Sequence, residues 1–421
     1  MRRTRTVMVC IAGVLGAALP AGVSAGAATA EASATAEASA TAETSAAAAA
    51  DPESCVSSPG PARGDAAEVL AIARQAQREL GLNSVVLRVS SGDREVLTTA
   101  LGESMTGVPA EPSMHFRTGS VAIVYMGTAL LRLVEQGRAS LDDPVARWLP
   151  DVPHGSQITL RMLADSTSGL HDYVTDPTFL AALEAAPFRA WTPAEVIGIA
   201  TGKPLLYEPG TNWSYSHANF AILGAALEKI SGLPLDRLLS EQVMVPLGLT
   251  GTTNQSTPQI PEPVLHAFTS ERGTYEESTF WNPSWTTARG AVLVQNICDL
   301  DRSARGIGTG KLLSAQSFKT QLDPGTLGLG HATSTCPKTV CLLTNTAAHH
   351  FGLGLIVVND WILTNPSFSG YAAIQAYLPA QKLSVSVTVT KGPKSPEGNS
   401  AQTIAERISD ALAPEHPLKM R

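Results

Sequence analysis

Strand-forming sequence is concentrated at the two ends of this chain. Near the N-terminal end, SVVLRVSSGDREVLTTALG (84–102) predicts a β-hairpin, because two β-branched runs flank Ser-Gly-Asp. Near the C-terminal end, FGLGLIVVND, YAAIQAYLPA and KLSVSVTVTKG are successive strand candidates. The segment from Thr118 to about Gln321 instead carries helical patterns and long loops with Pro and Gly. We therefore predict one sheet built from both chain ends.

Two amphipathic helices frame these strands. DAAEVLAIARQAQRELG (65–81) places its apolar residues on one helical face and stops at Gly81, and SAQTIAERISDALAP (400–414) closes the chain. The predicted fold class is α+β, with an antiparallel sheet flanked by helices and an all-helical lobe over about residues 117–321. A cleft between the sheet and the helical lobe is the expected place for a site.

The first 63 residues are unlike the rest. Residues 1–25 have three arginines, an apolar run and a small-residue end, which predicts a signal peptide and a secreted, extracellular protein. The run is too short and too rich in Ala and Gly for a membrane anchor, and no later segment is long and apolar enough to span a membrane. Residues 26–63 form an Ala/Thr/Glu/Ser spacer without large apolar side chains to bury. The folded domain is predicted over 64–416.

The net charge limits the classes of binding partner, and the cysteines indicate disulfide bonds. The net charge of −7, which becomes more negative when the signal arginines are removed, argues against nucleic-acid or anionic-membrane partners. Four cysteines lie beyond the signal, and an even number in a secreted chain suggests disulfides. Cys336 with Cys341 and Cys55 with Cys298 are the favoured pairs, although three connectivities are open. The spacing in CPKTVC does not suit zinc, and we expect neither a metal nor a cofactor.

Ser120 is the first candidate for a catalytic residue. It lies at the start of a predicted helix, in FRTGSVAIVYMGTALLRLVEQG, where free N–H groups and the helix dipole would stabilise an oxyanion. Serine is also a common helix N-cap, and local sequence alone favours that simpler role.

The wider sequence resembles the serine β-lactamase and D-alanyl-D-alanine-carboxypeptidase family, in its class C and esterase-related branch. The resemblance rests on the Ser120 segment, on ITLRMLADSTSGLHDYV, on YEPGTNWSYSHANFAILGAALEKISGLPLDRLLSEQVMVPLGLTGTT, on ARGAVLVQNICDLDRSA and on the closing strands. It covers roughly residues 65–414. It implies a helical lobe on an α/β lobe, with the site in the groove between them.

Each of the three motifs that the resemblance implies is altered here. Ser-x-x-Lys becomes Ser120-Val121-Ala122-Ile123, and Tyr-x-Asn becomes Tyr215-Ser216-His217. The third, His- or Lys-x-Gly, aligns with Thr364-Asn365-Pro366. Ile123 cannot accept a proton, and a phenol without a neighbouring cation stays protonated at neutral pH because its pKa is about 10.

Two interpretations follow. In the first, the protein is a secreted pseudoenzyme with a degenerate site and weak or no peptidase or lactamase activity. In the second, it is an active esterase or acyl hydrolase in which Ser120 is the nucleophile, His217 replaces the missing base, and Tyr215 orients the base or relays the proton. Expected ligands are small esters, acyl compounds or cell-wall peptides. The sequence leaves the oligomeric state open.

Overall fold

The computed structural model describes residues 55–254 and 257–420. The predicted signal peptide and spacer residues 26–54 lie outside the described residues. Residues 55–63, assigned to the spacer by sequence, contact the folded domain: the backbone N–H of Ser58 donates to the carbonyl of Thr98 at 2.8 Å.

The helices are α1 (Asp65–Glu79), α2 (Val121–Glu135), α3 (Leu160–Ala164), α4 (Pro177–Ala185), α5 (Pro193–Thr201), α6 (His217–Ser231), α7 (Leu235–Leu239), α8 (Val245–Leu247), α9 (Ile297–Gly308), α10 (Ala315–Leu322) and α11 (Ser400–Leu412). The strands are β1 (Leu82–Ser91), β2 (Arg94–Met105), β3 (Val108–Pro109), β4 (Phe116–Gly119), β5 (Thr253–Asn254), β6 (Phe268–Thr269), β7 (Glu276–Glu277), β8 (Leu293–Gln295), β9 (His349–Phe351), β10 (Ile356–Val358), β11 (Trp361–Thr364), β12 (Ser367–Phe368), β13 (Tyr371–Leu378) and β14 (Leu383–Lys391).

The main sheet joins the two chain ends, as the sequence predicts. Its order is β3-β2-β1-β14-β13-β11-β10-β9, with β12 also on β13. The neighbouring strands are antiparallel, and β1 pairs with β14 so that Val85 lies opposite Val389. The prediction of an α+β fold with an antiparallel sheet from both termini is confirmed.

Helices cover both faces of this sheet. The terminal helices α1 and α11 pack on one face through Val69, Ala73, Ile404 and Ile408. On the other face, α9 packs against β13 and β14. That contact is partly polar, because Ser90 of β1 donates to the buried carboxylate of Asp301 on α9 at 3.0 Å. Both strand faces are therefore buried, which explains the nearly continuous apolar and small-residue runs of β1 and β14.

The middle of the chain forms the helical lobe around α6, which contacts α2, α3, α5 and α7. This region also contains strands that the sequence analysis did not predict: β4, β8 and β5 form a three-stranded sheet, and β6 pairs with β7. These strands are two to four residues long. A run that short shows no recognisable alternation of apolar and polar residues.

The four described cysteines come together in the favoured pairs. The sulfur atoms of Cys55 and Cys298 are 2.01 Å apart, and those of Cys336 and Cys341 are 2.08 Å apart. The first pair joins positions 243 residues apart, whereas the second closes a loop of only 5 residues. The first bond would therefore restrict the unfolded chain far more than the second.

We expect the two bonds to differ in their effect on stability. Cys55→Ser with Cys298→Ser should lower the free energy of unfolding by about 5 kcal/mol, and Cys336→Ser with Cys341→Ser by about 2 kcal/mol, from loop-closure entropy. Peptide mapping without reductant should recover both linked pairs, and denaturant titration should rank the variants. Equal losses, or a different connectivity, would contradict this expectation.

Burial of a carboxyl group provides a second test of the fold. Asp165 follows α3, is 3% exposed, and accepts hydrogen bonds from the N–H and hydroxyl of Thr167 at 3.1 and 2.7 Å. Burial raises the pKa of Asp165 to about 7, although the bonds from Thr167 oppose that rise. The unfolded value is near 3.9. Stability from this group is therefore fully present below about pH 4 and is lost as the pH rises towards 7.

Asp165→Asn should stabilise the protein at pH 8, because asparagine keeps the accepting oxygen and cannot ionise. The gain should be on the order of 4 kcal/mol at pH 8 and should shrink steadily towards pH 5. Denaturant unfolding at several pH values would measure it, with the exposed Asp151→Asn as the control for removal of a carboxylate. A gain that does not depend on pH would show that ionisation of Asp165 is not its cause.

Candidate active site

Ser120 stands at the junction between β4 and α2. Gly119 has a φ of +41°, a backbone conformation that favours glycine, and turns the chain into the helix. Ser120 occupies the N-cap position with φ −68° and ψ 1°, but its side chain makes no capping hydrogen bond. The local sequence favoured a cap role, and the structure shows instead a half-buried hydroxyl that the helix does not use.

Ile123 lies one turn further along α2, on the same side as Ser120. Its side chain is 4% exposed, and both residues line one pocket. An aliphatic group thus occupies the position where the resemblance placed an ammonium group. Among the described residues that line this pocket, none is Lys, Arg, Asp or Glu.

The start of α6 supplies the opposite wall. Ser216 caps the helix by accepting from the N–H of Ala218 at 3.2 Å, and its hydroxyl donates to the carbonyl of His171 at 2.9 Å. These bonds fix the residues on either side of Ser216. Tyr215 and His217 both line the Ser120 pocket, with their rings edge to face and 5.1 Å between centroids.

The Tyr215 phenol is a poor base in this setting. Burial raises its pKa well above the ordinary value, and the negative charge of Asp172 raises it further. The hydroxyl of Ser120 is close enough to lower that pKa in part. Even so, Tyr215 Oη is a buried atom without a hydrogen bond of acceptable geometry. Tyr215 is consequently a neutral phenol at pH 7 that can donate a proton but cannot readily accept one.

His217 has a carboxylate partner. Its Nδ1 lies 3.0 Å from Oδ2 and 3.1 Å from Oδ1 of Asp172, and its backbone N–H donates to Oδ1 at 3.1 Å. Asp172 lies in the loop that follows α3, and the same oxygen accepts from the N–H of Val174 at 3.3 Å. Among the hydrogen bonds of the described residues, none joins His217 to Ser120.

The pocket has a volume of about 290 Å³ and an apolar lining. Its described lining residues are Ser120, Ile123, Trp213, Tyr215, His217, Phe351, Leu355, Ile356, Thr364, Asn365, Pro366 and Ser367. Three of them carry a buried polar atom that has no hydrogen-bond partner: Nε1 of Trp213, Oη of Tyr215 and Oγ1 of Thr364. Unpaired polar atoms around an apolar pocket are typical of a site completed by a ligand.

The third altered segment forms part of this wall. β11 ends at Thr364 and β12 begins at Ser367, so Asn365 and Pro366 interrupt the strand beside the pocket. The amide of Asn365 donates to Gln402 of α11 at 2.8 Å and is occupied there. Proline has no N–H to offer to a ligand. This wall therefore presents no charged group to a substrate.

A loop braces Trp213 from outside the pocket. Asn212 accepts hydrogen bonds from the N–H of Gly330 at 2.7 Å and of Trp213 at 2.9 Å, and its amide donates to the carbonyl of His331 at 2.9 Å. The paired Cys336 and Cys341 lie in the same loop. The loop holds the pocket wall in place, although it is distant in sequence.

The structure thus brings the three residues predicted from sequence, Ser120, Tyr215 and His217, to one pocket. Sequence reasoning missed Asp172 and Trp213. Asp172 lies within the stretch ITLRMLADSTSGLHDYV that carried part of the resemblance, but nothing in the sequence links position 172 to position 217.

Among the described residues, no group of three or more His, Cys, Asp or Glu is placed to hold a metal ion. None of the helices in the described part of the chain has the length and apolar character needed to cross a membrane.

Comparison with known proteins identifies the family of this chain. The model of the beta-lactamase family matches residues 69–408, which is most of the chain. The chain belongs to the beta-lactamase family. The family resemblance inferred from the motif segments is confirmed.

Among curated relatives, a putative penicillin-binding protein of Bacillus subtilis is 25% identical over 60% of this chain and 62% of its own length. Esterase EstB of Burkholderia gladioli is 32% identical over 44% of this chain and 50% of its own length. A putative D-alanyl-D-alanine carboxypeptidase of Escherichia coli is 26% identical over 72% of this chain and 74% of its own length. The chain therefore spans about half to three quarters of these relatives.

Solved structures share the fold. A D-stereospecific amidohydrolase from Streptomyces matches with a TM-score of 0.67 and 23% identity, over 82% of this chain and 98% of its own. A D-amino acid amidase from Ochrobactrum anthropi matches with a TM-score of 0.66 and 19% identity, over 83% and 99%. At these identities the likeness establishes the β-lactamase/transpeptidase-like fold.

The unpaired Tyr215 hydroxyl gives a test of the site geometry. Tyr215→Phe should leave the free energy of unfolding of the ligand-free protein unchanged or slightly higher, because it removes a buried donor without a partner. Tyr173→Phe is the matched control, since Tyr173 Oη donates to the carbonyl of Trp285 at 2.6 Å. That variant should lose about 1 kcal/mol in denaturant titration. A comparable loss in Tyr215→Phe would mean that its hydroxyl has a partner.

Proposed function

We propose that this protein is an exported serine hydrolase that cleaves small, uncharged esters or related acyl compounds. In this proposal Ser120 is the nucleophile and His217 is the base, while activity on D-alanyl-D-alanine peptides and β-lactams is weak or absent. The observation that carries the proposal is that Ser120, Tyr215 and His217 line one apolar pocket whose described lining has no charged side chain. Export rests on the signal-like residues 1–25.

The choice of base follows from acid–base chemistry. A serine hydroxyl needs a partner that can take its proton near neutral pH. Ile123 has no basic atom, and the raised pKa of Tyr215 keeps the phenol protonated. An imidazole titrates near pH 6.5 in its reference state, which suits general-base catalysis. His217 is the base that remains among the three predicted site residues.

The reaction is an acyl transfer in two steps. Ser120 Oγ attacks the carbonyl carbon of the ester while His217 takes the hydroxyl proton, and the proton then passes to the leaving alkoxide. The acyl group stays on Ser120 until a water molecule, deprotonated by His217, attacks its carbonyl carbon. The bond to Ser120 Oγ then breaks, His217 returns the proton to Oγ, and the acid is released. The N-terminal end of α2 stabilises the oxyanion through its dipole and free N–H groups. The Tyr215 hydroxyl, without a partner in the free protein, is available to donate to the substrate or the leaving group.

Pocket chemistry selects the substrate class. A carboxylate in this pocket would be desolvated without a cation to pair with, which costs several kcal/mol. Uncharged acyl groups avoid that cost and gain from the apolar walls of Phe351, Leu355 and Ile356. The esterase among the relatives supports an ester, although the match spans only half of that protein.

A non-catalytic binding role is the second candidate. It is favoured by the absence of a hydrogen bond between Ser120 and His217 among the described residues, since a nucleophile and its base usually lie within such reach. In this case the unpaired atoms of Trp213, Tyr215 and Thr364 would bind an acyl compound or a cell-wall peptide without cleaving it.

Serine-directed labelling separates the two candidates. A fluorophosphonate probe should label the wild-type protein, and a panel of p-nitrophenyl esters of short acids should be hydrolysed. Ser120→Ala should abolish both signals. Ser367→Ala is the matched control, because Ser367 lines the same pocket and should retain labelling and hydrolysis. His217→Gln should lower kcat by roughly 10²- to 10⁴-fold, the usual contribution of a general base.

A fluorescent penicillin should acylate the protein slowly or not at all under the same conditions. Rapid acylation by penicillin, or release of D-alanine from a stem peptide at ordinary rates, would contradict the proposed substrate class. No labelling and no ester hydrolysis at high probe concentration would favour the binding role instead.

A further inference from the structure

The contact between Asp172 and His217 is built from two separate elements. Both oxygens of the carboxylate face Nδ1 of His217, at 3.0 and 3.1 Å. Oδ1 also accepts from the backbone N–H groups of His217 and Val174. The carboxylate is therefore held from two sides, and its position relative to the imidazole is fixed. The two side chains are 18% and 11% exposed, so little water competes for the contact.

This contact determines which ring nitrogen carries the proton. An ionised carboxylate has only acceptors, so the nitrogen that faces it must be the N–H donor. In the neutral imidazole, Nδ1 is then protonated and Nε2 keeps its lone pair. Since Nδ1 is turned to Asp172, Nε2 is the ring nitrogen left for the pocket that His217 shares with Ser120.

We infer that Asp172 is a positioning residue, which holds His217 in the tautomer that leaves Nε2 free to act as a base. Its importance for turnover rests on the hydrolase function proposed above, whereas its control of the tautomer does not. Asp172 also stabilises the imidazolium that forms when His217 takes the proton of Ser120, because the two charges are in direct contact. It acts through His217, and it is not among the residues that line the pocket.

A purely structural role for Asp172 makes different predictions. As the N-cap of the short 3₁₀ turn Tyr173–Thr175, Asp172 could serve only to order the loop. Asp172→Asn separates the two roles. The Asn oxygen can still accept from Val174 and from the backbone of His217, so the cap survives. Because Oδ1 already accepts from those two N–H groups, the Asn NH₂ group takes the place of Oδ2 and donates towards Nδ1. That contact favours the neutral ring with its proton on Nε2.

The test is NMR of protein labelled with ¹⁵N-histidine, combined with ester kinetics. Long-range ¹H–¹⁵N correlation of His217, assigned by comparison with His217→Gln, should show the Nδ1–H tautomer in the wild type. Asp172→Asn should show Nε2–H, and its kcat should fall by roughly 10²- to 10⁴-fold with KM changed less than about threefold. Asp172→Glu should recover part of the loss, since a carboxylate again faces the ring.

Asp176→Asn is the matched control. Asp176 caps α4 through the N–H groups of Thr178 and Phe179, as Asp172 caps its turn, but its ionic partner is Lys203 instead of a histidine. This variant should keep the wild-type tautomer and kcat. Thermal unfolding of each variant shows whether the fold is retained.

The outcomes separate this inference from the proposed function. A wild-type protein with Nε2–H on His217 overturns the inference, even if Ser120-dependent hydrolysis is present and even if Asp172→Asn fails to fold. Unchanged kcat in a folded Asp172→Asn variant with Nε2–H also overturns the positioning role. The Nδ1–H tautomer in the wild type and its reversal in Asp172→Asn support the inference even where no ester is hydrolysed, a result that would count against the proposed function alone.

Discussion

The pairing of β1 with β14 is the constraint on which the rest of this structure depends. It joins segments that lie almost 300 residues apart, and each residue from Ser84 to Ser91 of β1 has a partner on β14. Because α1, α9 and α11 pack on the sheet, both strands are buried and their register is fixed by side chains on both faces. The chain between these strands must leave the sheet and return to it. Its helical lobe therefore stands beside the sheet, and the pocket lies where segments of both regions meet.

The chemistry of the pocket depends on the absence of a cationic side chain beside Ser120 among the described lining residues. A cation one turn along α2 would lower the pKa of a neighbouring phenol and attract anionic substrates. Ile123 does neither, and the Asn365-Pro366 break in the neighbouring wall adds no charge. Burial then keeps Tyr215 neutral, so in the proposed mechanism the proton of Ser120 passes to the imidazole of His217. In this proposal, isoleucine at the position of the expected lysine changes both the base and the substrates that the pocket accepts.

The base proposed here, His217, has its carboxylate partner outside the altered motifs. Asp172 belongs to the loop after α3, and His217 opens α6. As inferred above, their contact holds the proton on Nδ1, a property that neither residue has alone. Trp213 likewise depends on a distant segment, because Asn212 beside it bonds to Gly330 and His331 in the loop that contains Cys336 and Cys341. Two loops therefore support a site whose proposed nucleophile, Ser120, lies at the junction of β4 and α2.

The sequence by itself determined much of this protein. Long periodic segments gave the terminal helices and the hairpin, because 3.6- and 2-residue periods are visible in runs such as 65–81 and 84–102. The motif segments identified Ser120, Tyr215 and His217 as the candidate site, and they showed that the lysine was missing. The family match confirmed the family assignment.

Only the tertiary structure decided the rest. The partner of His217, the set of residues that surrounds Ser120 in the pocket and the short strands β4, β5 and β8 all depend on contacts between segments far apart in the chain. Positions 172 and 217 meet because the turn Tyr173–Thr175, which Asp172 caps, packs against α6, and no local pattern encodes that contact. Burial, which keeps Tyr215 neutral and raises the pKa of Asp165, is likewise a property of the folded chain, since the same side chains would be hydrated when unfolded.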